Sequence, residues 1–143
     1  THILKRQHGA ATAMIEQLLD RSGRAPRDGD SEAMALQLTK LVSLLRLHFM
    51  QEDCTLYGPL LDSSDTDAAR VARDYFEELH GLADTLDLFA YRWCDAAAIA
   101  AGIGRFRHEL QMLCDALLRR IALEEAYRYP LLERRSAEAR RAA

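Results

Sequence analysis

The sequence predicts an all-α protein built as an up-down-up-down four-helix bundle. Apolar residues return about every 3.6 positions through four successive segments, the period of a helix with one buried face. Short runs rich in Gly, Pro, Ser and Asp separate the segments, each roughly 20 to 30 residues long, as in an antiparallel bundle. Leu, Ala, Glu and Arg dominate, there are only 3 prolines, and no stretch alternates as a strand would.

In the first segment, Thr1 to Asp20, Leu4, His8, Ala11, Ile15 and Leu18 share one stripe. RSGRAPRDGD, Arg21 to Asp30, reads as a loop, and Ser31 as the cap of the next helix. Leu38, Leu41, Leu45, His48, Glu52 and Leu56 form the second stripe. GPLLDSSDTD, Gly58 to Asp67, is expected to end that helix at Pro59, with a Ser or Asp capping the third. Phe76, Leu79, His80, Ala83, Leu86 and Phe89 make the third stripe. Asp95 can cap a fourth helix, whose stripe is Phe106, Leu110, Leu113, Leu117, Arg120, Glu124 and Tyr127, with Gly102 and Gly104 weakening its start. The arginines from Arg134 to Arg141 alternate with Glu133 and Glu138 and read as a solvated helix end.

A chain of 143 residues with 49% hydrophobic and 29% charged side chains is expected to be one soluble globular domain spanning residues 1–143. A net charge of −3 gives no basic face for nucleic acid. No apolar run approaches the length of a membrane span, and no secretory leader is recognised. Cys54, Cys94 and Cys114 are odd in number and widely spaced, so they suggest free thiols in a reducing cytoplasm.

The informative exceptions are polar residues on apolar stripes: His8, His48, Glu52, His80, Arg120 and Glu124. Such groups must be satisfied, because each costs several kcal/mol if left unpaired in a core. His48 and Glu52 stand four residues apart on one helix face, and Arg120 and Glu124 repeat that spacing. An antiparallel bundle can bring all four helices' groups to one level, and imidazoles with carboxylates suit iron, manganese or zinc. The two segments are also partial copies. Glu52 matches Glu124, Asp53 matches Glu125 and Tyr57 matches Tyr129; a proline and two leucines follow with a one-residue slip.

A histidine on the first helix, H-x-x-x-E on the second, a histidine on the third and an x-x-x-E half-motif on the fourth resemble the hemerythrin-like HHE cation-binding domains. The E-[ED]-x-x-x-Y stretches followed by proline are similar to theirs, and the resemblance covers essentially the whole chain. It is greatest to the branch with two bridging glutamates, which includes di-iron proteins implicated in iron–sulfur cluster repair and nitric oxide stress. The resemblance implies that His8 and His48 hold one iron, His80 the other, and that Glu52 and Glu124 bridge them. The sequence departs from the pattern at Arg120, where the family places a histidine. Arginine stays protonated and is no ligand. Asp84, one turn after His80, is a candidate substitute. Otherwise two outcomes compete: a weakened or single-metal site on His8, His48, Glu52 and Glu124, or no metal, with the Arg120 guanidinium standing in for the cation.

Other residues receive plainer readings. Tyr57 and Tyr129 are expected to pack helix ends. Cys54 lies about 200° round the helix from Glu52 and is read as a small core or interface residue outside the site; Cys94 and Cys114 are read as packing. His2 and His108 are expected at the surface. Glu77 and His80 form a single E-x-x-H, half of the ferritin-like pattern. Trp93 is either core or partner surface. The function these readings support is a cytoplasmic non-haem iron protein that binds or senses O2, NO or a related oxidant under redox stress. Nothing marks a substrate pocket or a nucleophile with its base, so enzymatic turnover is not expected. The alternative is a degenerate, metal-free bundle acting as a regulatory or protein-interaction module.

Overall fold

The computed structural model describes residues 1–142. Its elements are α1 (His2–Gly23), α2 (Asp30–Glu52), a π-helical turn (Asp53–Tyr57), α3 (Gly58–Leu61), α4 (Thr66–Arg92), α5 (Ala96–Ala101), α6 (Ile103–Leu123), a second π turn (Glu124–Arg128) and α7 (Tyr129–Ala142). Among the described residues there is no strand. α1, α2, α4 and α6 are the long helices, and short connections make each antiparallel to the next, giving the expected bundle. No helix is long and apolar enough to cross a membrane.

The predicted stripes are the core. Ile15 and Leu18 of α1, Leu41 of α2, Leu86 of α4 and Phe106 and Leu110 of α6 are fully buried. Each contributes about 1.5–3 kcal/mol relative to exposure, so packing rather than local propensity holds the helices.

The punctuation differs from expectation in instructive ways. α1 runs on to Gly23, and α2 begins at Asp30 rather than at a Ser31 cap. Gly29, with φ of 80°, is its N-cap, in a conformation that favours glycine. The buried Asp30 carboxylate ties the loop: it accepts from the Arg27 backbone N–H at 2.8 Å and from Arg21 and Arg24. Asp65 caps α4 by accepting from the N–H groups of Asp67 and Ala68. Asp95 caps α5, as expected, and the fourth helix breaks at Gly102. A Cβ there would lie 3.1 Å from the Trp93 ring, so the glycine lets the buried indole close the end of the bundle.

Pro59 does not stop the second helix. The chain passes through a π turn and continues as α3, and Pro130 is crossed in the same way into α7. In both copies the wide turn is closed by the N–H of the residue before the proline, Gly58 to the Asp53 carbonyl and Tyr129 to the Glu124 carbonyl. A proline in a regular helix would clash with the carbonyl four residues back; the π turn moves that carbonyl aside. The one-residue slip therefore travels with the proline. It also corrects the fourth stripe: the extra residue in the turn carries Tyr127 out to 69% exposure and brings Arg128 in. Arg128 pairs with Glu78 and lies 4.5 Å over the Tyr75 ring.

Core packing, expected for Cys94 and one of two readings of Cys54, is corrected for both. Cys54 and Cys94 are exposed; Cys114 is buried in the core, and burial pushes its thiol up to about 12.

Candidate metal centre

Four of the polar residues picked out by the stripes meet at one level of the bundle. His8 of α1, His48 and Glu52 of α2 and Glu124 at the end of α6 are all buried, and one ligand atom from each lies within 4.8 Å of the others. His8 Nε2 is 3.1 Å from His48 Nε2 and 3.0 Å from Glu124 Oε2. His48 Nε2 is 3.4 Å from Glu52 Oε1.

Both imidazoles are oriented from behind. The His8 Nδ1–H donates to Glu125 Oε1 at 2.9 Å, and the His48 Nδ1–H donates to Gln7 Oε1 at 2.9 Å. With the proton held on Nδ1, each ring turns its Nε2 lone pair toward the centre, the arrangement by which outer hydrogen bonds prepare histidine for a metal. Gln7 is itself held by Gln51.

The centre is rich in acceptors and short of donors. The Tyr129 hydroxyl donates to Glu52 Oε1 at 2.6 Å and lies 3.1 Å from His8 Nε2 and 3.3 Å from Glu124 Oε2. With His8 neutral, one phenolic proton thus faces three acceptors. Glu52 Oε2 is buried with no partner. A cation at this place would satisfy two nitrogens and two carboxylates at once, so the residues present fit a metal ion.

Arg120 is compatible with that. Its Nε donates to Glu124 Oε1, on the far side of the carboxylate from the Oε2 that faces His8. Its terminal nitrogen lies 3.5 Å from the Tyr57 hydroxyl. The guanidinium therefore holds one glutamate in place and neutralises one of two buried negative charges; the charge of Glu52 is left over. Titration follows the same geometry. Burial pushes the Glu124 carboxyl up, but the His8 hydrogen bond and the Arg120 charge outweigh it and hold it below the usual range. Burial pulls the His8 imidazole down, and the hydrogen bonds and charges of Glu124 and Glu125 more than reverse this, so in the metal-free cluster a second proton on Nε2 takes the place that a metal ion would fill. Burial, reinforced by the Glu52 charge, raises both Tyr57 and Tyr129, which stay protonated donors.

His80 is not brought to this cluster. Its side chain is 52% exposed, packs against Phe76 with ring centroids 4.2 Å apart and the rings tilted by 37°, and contacts Asp53 Oδ2 at 3.2 Å. The buried line of α4 runs through Ala72, Leu79 and Leu86, seven residues apart. His80 follows Leu79 by one position, about 100° round the helix, and so turns to the shoulder of the bundle. Asp84 is exposed as well. Conversely, three residues of the site were not singled out for it: Tyr129, read as packing, and Gln7 and Glu125. Tyr129 and Glu125 had a signal in the repeated E-[ED]-x-x-x-Y motif. Gln7, beside His8 but on no stripe, had none.

Neither curated proteins nor solved structures returned a match to this sequence. A family model does: the hemerythrin HHE cation-binding domain matches residues 1–132. That match spans all four bundle helices and every residue of the buried cluster, and the chain belongs to the hemerythrin HHE cation-binding domain family.

Proposed function

We propose that this protein is a single domain of the cytoplasm that holds one non-haem iron on His8, His48, Glu52 and Glu124 and uses it to bind or sense O2, NO or a related small oxidant. The observation that carries the reading is the buried, donor-poor cluster, with one glutamate oxygen unpartnered and both imidazoles braced from behind. An iron held there would supply the affinity for a diatomic molecule. The protein supplies the rest. Gln7 and Glu125 keep Nε2 of each histidine facing inward. Tyr129 offers the one O–H donor beside the centre, and Arg120 anchors Glu124 while contributing a fixed positive charge. The cavity beside the cluster, lined by His8, His48, Arg120 and Glu124 among others, is about 10 Å³, at the lower limit for a single water. That size disfavours an organic substrate.

The test is anaerobic iron loading, metal counting and an absorption spectrum before and after air, with His48→Ala as control. About one iron per chain, lost in His48→Ala, with a spectrum that changes in air or with NO, is expected. A folded wild-type chain that takes up no metal would overturn the reading in favour of a metal-free module. The Arg120–Glu124 pair favours that second reading, since it already supplies one buried cation.

A further inference from the structure

We propose that small apolar ligands reach the buried centre through the cleft between α4 and α6, and that Leu82 is the side chain that gates this passage. The proposal rests on the ligand class just given, but the route is a property of the chain alone. The cleft is about 390 Å³ and opens to solvent. Leu82, Leu88 and Phe89 of α4 line one wall; Met112, Leu113 and Ala116 of α6 line the other. Leu88 and Met112, which also line it, are 68% and 62% exposed, so its outer rim is apolar. Arg92 and Glu109 pair at 2.7 Å and line the cleft beside this apolar stretch.

The inner wall is thin. Among the described residues, Leu82 alone lines both this cleft and the small cavity at the centre, where it stands with His8, His48, Arg120 and Glu124. It is half-buried and packs on the core from α4, the helix that contributes none of the four clustered residues. A leucine rotamer change is fast and moves only apolar atoms, so it can open the wall without breaking a hydrogen bond. The apolar walls also select. Water must give up hydrogen bonds to enter, whereas O2 and NO give up almost none. The passage thus admits the ligand class and keeps bulk water from the glutamates.

Xenon tests the route without any metal: it occupies apolar space such as the cleft, and it reaches the small polar cavity at the centre only where the side chain at position 82 gives way. Methyl spectra of the metal-free protein under xenon pressure are compared for wild type, Leu82→Ala and Leu82→Trp, with Leu82→Phe in place of tryptophan should that variant unfold. Leu88 and Leu113 report on the cleft; Ala11, Leu45 and Ile121 report on the cavity. Xenon-induced shifts of the cavity methyls are expected to grow in Leu82→Ala and to vanish in Leu82→Trp, while the cleft methyls respond in all three. Cavity shifts indifferent to residue 82, or a cleft that takes no xenon, would overturn the proposal. With iron loaded, Leu82→Trp is expected to slow NO association and dissociation alike by about tenfold, ~1.4 kcal/mol of barrier, leaving affinity unchanged. A changed affinity with unchanged rates would also overturn the gate. Failure to bind iron or NO would sink the proposed function and leave the xenon result to decide the route.

Discussion

Removing the guanidinium from Arg120 probes the whole electrostatic argument. The Arg120 side chain is 10% exposed and that of Glu124 2%, so the pair is almost completely withdrawn from water. In Arg120→Ala, Glu124 Oε1 loses its donor and the centre keeps two buried carboxylates with no fixed cation. Breaking a buried pair by deleting one partner costs about 3–5 kcal/mol. Glu124 Oε2 still has His8 at 3.0 Å, and His8 is already biased toward its charged form, so the lower end applies. For a domain of this size about 3 kcal/mol lowers Tm by roughly 10 °C. Urea unfolding of metal-free protein at neutral pH gives the number. Adding Glu124→Gln to Arg120→Ala removes the stranded charge and should recover most of the loss, so the two substitutions are strongly non-additive. Saturating divalent iron should do the same for the single variant, by about 2.7 kcal/mol at a hundredfold excess over Kd. A loss below about 1 kcal/mol, or no relief from Glu124→Gln, would refute the claim that the arginine compensates buried charge.

Other substitutions separate the roles around the centre. Arg120→His puts an imidazole one turn before Glu124 and should raise the metal content above that of wild type, read by elemental analysis of the loaded protein. Tyr129→Phe leaves both oxygens of the buried Glu52 carboxylate without a donor and should cost about 1–3 kcal/mol in metal-free protein, less with metal bound; equal urea midpoints for the two proteins would contradict it. At the other end of the bundle, burial pushes the Glu109 carboxyl up, but the Trp93 N–H and the charges of Arg105 and Arg92 hold it below its ordinary 4.5. A lowered carboxylate stabilises the fold above its unfolded value, and that contribution is lost as pH falls through the folded one. The Tm deficit of Glu109→Gln should therefore be constant near neutrality and shrink below about pH 4.5, followed through Trp93 fluorescence.

The sequence by itself determined the helical class, the four stripes and the level at which polar groups interrupt them, because a helical period and the cost of burying charge are both written locally. His8, His48, Glu52 and Glu124 were legible as a cluster for that reason: each is the wrong residue type on an apolar face. Tertiary structure decided what local period could not. His80 lies one position past the buried line of α4, and only the packing of that helix shows which side of Leu79 faces inward. Pro59 reads as a stop, but continuous packing of α3 and α7 against α4 makes a π turn before each of Pro59 and Pro130 the better solution, and the second turn then exchanges Tyr127 for Arg128 in the interior. Whether Arg120 replaces a metal or steadies its ligand depends on which oxygen of Glu124 it meets. It takes Oε1, leaving Oε2 toward His8, and that choice is a matter of side-chain geometry between helices that no spacing along the chain encodes.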